Sequence, residues 1–458
     1  MSDDRPLHPP VGTDNRPSTR LILALAILSA LIYLALALSG DLRDHLTALL
    51  AAEAILLASM GLVWARMRGA VRGYEIVIGA ALVFRLLAAL GEPALSDDVY
   101  RYVWDGRVQL HGIHPYAHAP GDPALEHLRD ADWEKINHPH LRTIYPPLSQ
   151  MLFLVLAATG AGPFGFKLAL GLIDFGVVLA LARLLRSLGL PRDRLILYAW
   201  NPLAVMETAG SGHVEPLGVG LVILAAAWII DRRPGLSTLA LAGAVHVKIL
   251  PGALIPGYLR RFRLREILLL AAVLVGLALP YALTGPPVGS GLFAYAEHWE
   301  FNASVYAGVR GLLGALDSGN TLKPLIDWLE DLPGAGWISW GLVYRLAWPN
   351  PLARIIVAAA ALVWIARLTF RPGLDAARES FLVLAGLIVL SPTVYPWYVL
   401  WVLPFAAAYL SWAWMIFGAL VVLSYLGQGG EVAWWVRGVE YGGLCLPMVV
   451  RSLWKMRK

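Results

Sequence analysis

Two adjacent carboxylates, Asp97 and Asp98, open a polar stretch that directly follows a long apolar segment. A carboxylate at a membrane surface is partly desolvated, which suits it to take a proton from a hydroxyl as a general base. If the stretch is helical, Asp97 shares one face with Arg101, and Asp98 shares the neighbouring face with Asp105. The pair therefore predicts general-base chemistry by Asp97 or Asp98, although two acidic residues after Ser96 are also typical of a capped helix start.

A lone cation, Lys248, lies inside an apolar stretch at 236–258. An ionisable side chain is costly within a membrane and needs an anionic partner or water, so it is by default a candidate functional group. Pro251 and Gly252 follow closely and predict a break in the helix, which would bring the ammonium to one face of the membrane. We therefore expect Lys248 to bind an anion.

Further polar and aromatic side chains cluster near the ends of other apolar segments. Because a membrane-embedded site would open to water there, we expect these residues to contact substrates: Tyr100, Asp105, His213, Glu215, His246, Trp299, Asn302, Tyr395 and Trp397. The alternative for the aromatic members is anchoring at the membrane surface, where Trp and Tyr are enriched. A zinc site at His111, His114 and His118 is disfavoured, because Gly112 and Pro115 predict a turn between the three rings.

The composition places this chemistry in a membrane. The chain has 458 residues, of which 58% are hydrophobic and 15% charged, against about 25% charged in soluble domains. Apolar stretches close to the ~20 residues that cross a bilayer recur along almost the whole chain. The net charge of +5 does not indicate nucleic-acid binding, because the basic residues lie in short loops between apolar segments. The single Cys445 excludes an internal disulfide and a cysteine metal cluster.

Arginine clusters predict the topology, because short loops rich in Arg and Lys stay on the cytoplasmic side. With the N-terminus inside, residues 91–145 and 285–350 become two large external loops. The segment 146–160 must then dip into the membrane and return, and 236–258 must form a broken hairpin. We predict an all-α polytopic membrane protein with about thirteen transmembrane or half-membrane helices. Its parts are a disordered cytoplasmic head at 1–20, a catalytic membrane module at 21–410, and additional C-terminal helices with a basic cytoplasmic tail at 411–458.

The first loop carries motifs that resemble a known class of enzymes. The stretch SDDVYRYVWDGRVQLHGIHPYAHAP, followed by TIYPPLSQMLF, is similar to the first external loop of GT-C glycosyltransferases. The likeness is to polyprenyl-phosphate-mannose-dependent enzymes: the bacterial alpha-1,6-mannosyltransferases of lipomannan assembly and the catalytic subunit that adds the first mannose to GPI anchors. It continues in the same order through GHVEP, AVHVKILPGALIP, HWEFNASVY and SPTVYPWYVLWVLP. The GPI-type pattern is Asp-x-Asp-Tyr, whereas Asp97 and Asp98 are adjacent here, so the base remains open between them.

This resemblance implies a GT-C fold and an integral membrane glycosyltransferase. It implies transfer of a hexose, which we expect to be mannose, from a polyprenyl-phosphate donor to a hydroxyl of a lipid-linked or cell-envelope glycan. The implied reaction is an inverting single displacement on the periplasmic or external face of the cytoplasmic membrane, with Asp97 or Asp98 as base. Lys248 would stabilise the donor phosphate, with Arg101 as a weaker candidate. No cofactor is implied with certainty, and a divalent metal is left open.

Two alternatives accompany this interpretation. A GT-C transferase for another sugar, such as glucose, arabinose or aminoarabinose, would use the same kinds of residue. A secondary transporter would also have about a dozen helices, but transporters place coupled polar residues near the bilayer midplane and often contain repeats. Here the polar residues gather beside two large loops and no repeat is evident, which favours the enzyme.

Overall fold

A computed structural model gives the structure of the protein and describes residues 19–68, 73–93, 95–286, 291–292, 297, 299–427 and 430–456. The predicted disordered head lies outside the described residues, apart from its last two positions. His298 of the second loop and the two basic residues that end the chain also lie outside them.

Helices build the whole of the described fold. No strand occurs in these ranges, where one isolated bridge pairs Phe301 with Thr393. The α-helices up to the broken hairpin are α1 (Thr19–Leu38), α2 (Leu46–Met67), α3 (Tyr74–Ala88), α4 (Asp98–Leu110), α5 (Pro147–Ala158), α6 (Pro163–Ser187), α7 (Ile196–Ala199), α8 (Pro202–Val205), α9 (Glu215–Ile230), α10 (Pro234–Val245) and α11 (Ile255–Leu259).

The remaining helices include three that lie inside the second predicted loop. The helices after the hairpin are α12 (Leu264–Thr284), α13 (Val305–Ala315), α14 (Ser318–Glu330), α15 (Trp340–Leu346), α16 (Pro349–Thr369), α17 (Ala376–Leu390), α18 (Leu403–Tyr409), α19 (Trp412–Leu420) and α20 (Trp434–Met456). The second loop is therefore a folded segment rather than an irregular one.

Among the described residues, five helical segments are long and apolar enough to cross a membrane. They are Thr19–Leu38, Leu42–Met67, Pro163–Ser187, Leu264–Thr284 and Pro349–Thr369. Shorter apolar helices pack among them; α5 has 12 residues and measures about 18 Å, less than the ~30 Å hydrocarbon core. The predicted all-α polytopic membrane protein is confirmed.

Helix breaks occur where the chain carries proline next to polar residues. The predicted span at 195–211 is divided into α7, α8 and a π-helical turn, Met206–Gly210, because Pro202 cannot continue the hydrogen-bond ladder and the Asn201 side chain caps α8. The predicted helix break is confirmed: α10 ends at Val245 and the next helical segment begins at Leu250. Lys248 thus lies between two helical segments. The return of the chain to the same side of the membrane stays a prediction.

Close packing brings α4 against the short helix α5. Gly106 permits this approach, because a Cβ at this position would lie 2.4 Å from the carbonyl oxygen of Phe153. The helices α6, α9 and α10 pack side by side and form the centre of the bundle. This packing fixes the start of α4, which carries the acidic pair, against the turns that precede α9 and follow α10.

Candidate active site

A cavity of about 730 Å³ lies where the start of α4 meets the turns between other helices. Its wall is made by parts of the chain that are far apart in sequence, from the α1–α2 turn to the segment after α19. The predicted site residues that line it are Asp97, Asp98, Arg101, Lys248, Trp299, Tyr395 and Trp397. The fold therefore brings the acidic pair, the lone lysine and the aromatic residues to one place.

Asp98 is the first residue of α4, and neutral groups hold its carboxylate. Asn137 Nδ2 donates a hydrogen bond to Oδ1 at 2.9 Å, and Tyr145 Oη donates to Oδ2 at 3.4 Å. His213 Nδ1 lies 3.8 Å from Oδ2, and 21% of the Asp98 side chain is exposed. In the described part of the chain, no lysine or arginine forms an ion pair with Asp98, so the carboxylate is available to accept a proton from a bound hydroxyl.

Asp97 differs from Asp98 because its carboxylate forms an ion pair with a guanidinium. Arg43 Nη1 lies 2.7 Å from Asp97 Oδ2, and Arg43 Nη2 donates to Oδ1 at 3.0 Å. The same guanidinium also binds Asp41. The arrangement thus uses the charge of Asp97 to hold the α1–α2 turn against the start of α4.

Lys248 lies at the border between the cavity and a second space. Its ammonium forms an ion pair with the fully buried Glu215, while 20% of the lysine side chain stays exposed. It also lies 4.8 Å from the centre of the Tyr398 ring. The second space is an apolar cleft of about 180 Å³ that adjoins the cavity. The residues that line both spaces are Ile144, Tyr145, Lys248 and Tyr398.

A stack of rings forms one wall of the cavity. Phe301 stacks on Tyr395 at 4.5 Å between ring centres, Tyr395 on Trp397 at 4.4 Å, and Trp397 on His213 at 4.0 Å. The Tyr395 hydroxyl is desolvated, and this loss of hydration raises its pKa to about 12. The rings cover one another's faces, and the stack gives the cavity a rigid aromatic wall that a sugar can contact.

The other predicted site residues do not line the cavity, although three of them contact its wall. Arg101 Nε donates to Asp105 Oδ1 at 2.9 Å, so Asp105 orients a lining residue. His213 supports Trp397 and faces Asp98, and Glu215 pairs with Lys248.

Three predicted substrate contacts have partners elsewhere. The Tyr100 hydroxyl donates to Glu92, His246 Nε2 bonds to the carbonyl of Leu274, and Asn302 donates to Glu440. The structure does not bring these three residues into the cavity.

No group of three or more His, Cys, Asp or Glu residues in the described ranges is arranged to hold a metal ion. Of the three loop histidines, His118 Nδ1 bonds to Asp122 Oδ2 at 2.7 Å and His114 Nε2 bonds to the carbonyl of Tyr281. The groups that the cavity offers are a candidate base, a cation and aromatic rings.

Several cavity residues were not among the predicted site residues: Arg43, Asn137, His138 and Tyr145. Tyr145 lies within the TIYPPLSQMLF motif, so its neighbourhood was recognised but its role was not. Arg43 lies in a short polar turn between two apolar helices, where nothing in its spacing relates it to the acidic pair more than 50 positions away. Its ion pair with Asp97 depends on tertiary packing.

Comparison with known proteins identifies the family. A family model described as alpha-(1->6)-mannopyranosyltransferase, N-terminal domain, matches residues 26–260. No curated protein matches the chain, and no solved structure matches it. The matched range covers more than half of the chain and includes the acidic pair and Lys248, although the stacked Tyr395 and Trp397 lie beyond it. The chain therefore belongs to the alpha-(1→6)-mannopyranosyltransferase family and is a membrane mannosyltransferase.

Proposed function

We propose that the protein transfers mannose from a polyprenyl-phosphate carrier to a hydroxyl of a lipid-linked or cell-envelope glycan. The observation that carries this proposal is the position of Lys248 between the polar cavity and the apolar cleft. A polyprenyl-phosphate sugar has the same order of parts: a polar sugar, an anionic phosphate and a long hydrocarbon chain. A soluble nucleotide sugar has no hydrocarbon to fill an apolar cleft.

The cleft is suited to the part of the hydrocarbon chain nearest the phosphate. Its lining includes Ile249, Leu250, Leu387, Ile388 and Trp401. These side chains replace bilayer lipid as neighbours of the hydrocarbon, so they hold it by van der Waals packing. With the chain in the cleft, the phosphate reaches the Lys248 ammonium and the sugar enters the cavity beside the aromatic stack.

Asp98 is the better candidate for the base, because Asp97 is already paired with Arg43. In the proposed reaction, Asp98 takes the proton of the acceptor hydroxyl while the hydroxyl oxygen forms a bond to the anomeric carbon. The bond between that carbon and the phosphate oxygen breaks, and its electron pair stays on the phosphate. Lys248 stabilises the charge that develops there. A single displacement of this kind converts a beta-linked donor into an alpha-linked product.

Purified protein and defined donors test this function. We expect alpha-linked mannose to appear on a mannoside acceptor when a beta-mannosyl polyprenyl phosphate is supplied. The same donor lipid carrying glucose or arabinose should be transferred poorly. Transfer from a nucleotide sugar in the absence of lipid carrier would contradict the proposal.

The proposal also places the cavity on the external face of the cytoplasmic membrane, as the arginine clusters indicate. Glu126 is exposed in the first loop and suits a labelling test by Glu126→Cys in a Cys445→Ser background. We expect an impermeant thiol reagent to label this variant in intact cells with a permeabilised outer membrane. Labelling only after lysis would place the loop in the cytoplasm.

A further inference from the structure

A row of polar groups runs from Asp98 through the wall of the cavity. Behind Asp98 lies His213, whose Nε2 is 3.4 Å from Glu207 Oε2. The other oxygen of Glu207, Oε1, accepts a hydrogen bond from Tyr425 Oη at 2.7 Å. His213 and Glu207 are fully buried, and Tyr425 is 2% exposed. The row ends at Tyr425, which itself lines the cavity.

The backbone fixes the two middle members of the row. Glu207 belongs to the π-helical turn Met206–Gly210, a form of helix that often occurs at functional sites. Gly212, with φ +82°, turns the chain just before His213, and the ring of His213 stacks on Trp397. These constraints direct the two His213 nitrogens at two carboxyl groups, those of Asp98 and Glu207.

Three polar atoms of this row have no hydrogen-bond partner in the described chain: Nδ1 and Nε2 of His213 and Oε2 of Glu207. Buried polar groups in native proteins are nearly always paired. The gaps of 3.4 Å and 3.8 Å are slightly longer than hydrogen bonds. Small shifts would therefore satisfy all three atoms with one another and with Asp98.

The surroundings of Glu207 determine where the protons lie. Glu215, the other fully buried acid of this region, pairs with Lys248, whereas in the described residues no lysine or arginine pairs with Glu207. Glu53 of α2, also buried, interacts electrostatically with Glu207 and would repel a second negative charge. An unpaired buried carboxylate is strongly unfavourable, so a protonated Glu207 fits this position. Its Oε2–H can then donate to His213 Nε2, which leaves the ring proton on Nδ1.

We propose that protonated Glu207 and neutral His213 are positioning residues that orient and stabilise the Asp98 carboxylate. The hydrogen bonds then run in one direction, from Tyr425 to Glu207, from Glu207 to His213, and from His213 Nδ1 to Asp98 Oδ2. This inference rests on the proposed function, in which Asp98 is the base. It adds two residues that bind no substrate and act through Asp98.

We expect the loss of these hydrogen bonds to change the pH profile of kcat/KM, whose acid limb reflects protonation of Asp98. Removing a hydrogen bond to a carboxylate favours its protonated form, so the acid limb of kcat/KM should move to higher pH. Other titratable or charged groups face Asp98 from neighbouring elements and stay unchanged in the experiment: Asp97 with Arg43, Tyr102, His138, Tyr145, Glu215 with Lys248, Tyr395 and Tyr425.

Two substitutions of Glu207 distinguish a positioning role of this residue from a purely structural one. The amide of Glu207→Gln can still donate to His213 and accept from Tyr425, so we expect kcat within about threefold of wild type and an unmoved acid limb. Glu207→Met has a similar length and no donor. We expect its kcat to fall by about 10- to 100-fold, its KM to stay nearly unchanged and its acid limb to move to higher pH.

An infrared measurement on the wild-type protein gives a test that does not depend on whether Glu207→Met folds. The difference spectrum between wild type and Glu207→Gln at neutral pH should contain the C=O band of a protonated carboxyl group. A carboxylate band in its place would overturn the inference, as would equal activity and equal pH profiles of the Gln and Met variants. Asp98→Asn separates the proposed base from this inference. If the variant keeps turnover, the assignment of Asp98 as the base fails and this inference fails with it. An inactive Asp98→Asn with equivalent Glu207 variants rejects this inference alone.

Discussion

The cavity and the cleft meet at Lys248 but have different chemistry. The cavity is lined by carboxylates, cations and aromatic rings, and its candidate base, Asp98, accepts hydrogen bonds from neutral side chains. The cleft is lined mainly by aliphatic and aromatic side chains, and Lys248 is its one formally charged lining residue in the described chain. In the proposed function, this difference corresponds to two roles: the cavity holds the reacting sugar, and the cleft holds the lipid part of the donor.

Loss of the base on the cavity side should have the largest effect. Asp98→Asn removes the proton acceptor while keeping the size of the side chain, and we expect turnover to fall by about 10²–10⁴-fold with donor binding retained. Asp97→Asn is the matched neighbour: it releases Arg43 but leaves Asp98 in place, so it should lose clearly less. Transfer assays and donor titrations on both purified variants make the comparison. Equal losses in the two variants, or full activity in Asp98→Asn, would contradict the assignment of Asp98.

Removal of the cation at the border should have the next largest effect. Lys248→Met alone would leave Glu215 buried without a partner, which costs about 3–5 kcal/mol when an ion pair is broken in this way. The double variant Lys248→Met/Glu215→Gln avoids that penalty. We expect it to fold and to bind a polyprenyl-phosphate sugar about 10- to 100-fold more weakly, since a charge-assisted hydrogen bond contributes about 1.5–3 kcal/mol. Unchanged donor affinity in the double variant, with Glu215→Gln alone as control, would remove Lys248 from the donor site.

Filling the cleft should have a smaller and more selective effect. Leu387→Trp adds bulk to the cleft wall, so we expect KM for a long-chain donor to rise several-fold, because the indole takes space that the lipid would fill. A donor with a very short lipid should be affected less. Leu268→Trp, at a position on α12 that is 60% exposed, controls for a bulky residue elsewhere. If the two donors are affected equally, the cleft does not hold the lipid.

The smallest expected effect is on the pH dependence of stability, through His138 at the edge of the cavity. His138 packs against Trp299 with 4.6 Å between ring centres, and partial desolvation, followed by the nearby His140, lowers the pKa of His138 below its ordinary 6.5. Because the folded state then binds a proton less readily than the unfolded state, the stabilisation is complete above pH 6.5 and is lost as pH falls below it. We expect the drop in melting temperature between pH 8 and about pH 5 to be smaller in His138→Gln than in wild type. An equal drop would show that His138 does not contribute.

The sequence singled out the acidic pair and Lys248 as candidate site residues because charged side chains are unusual there. Two carboxylates directly follow one apolar segment, and an ammonium lies within a second apolar segment. The same rule on ionisable residues in apolar segments also applies to Glu53 and Glu207, which were overlooked although both are buried in the bundle. The choice between Asp97 and Asp98 was not predictable. It depends on which carboxylate Arg43 reaches, and that contact joins residues 54 positions apart.

The apolar membrane helices were predictable from the length of the apolar stretches, and the helix break after α10 from Pro251 and Gly252. The orientation that the arginine clusters indicate stays a prediction. The division of the predicted span at 195–211 into short helices was harder to foresee, because the stretch is mostly apolar and has the length of a span. Asn201 and Pro202 were the available signals for the break. The three described helices within residues 285–350 were not predicted, because they are shorter than a membrane span and only apolar stretches of that length were read as helices.

A structure of the Asp98→Asn variant with a bound polyprenyl-phosphate mannose tests the central claim most directly. We predict that the phosphate contacts the Lys248 ammonium, that the lipid lies along Leu250 and Leu387 in the cleft, and that the sugar lies in the cavity beside residue 98 and Trp397. A phosphate bound at Arg43 or Arg142 instead, with the lipid leaving the cavity on that side, would contradict the division between cavity and cleft.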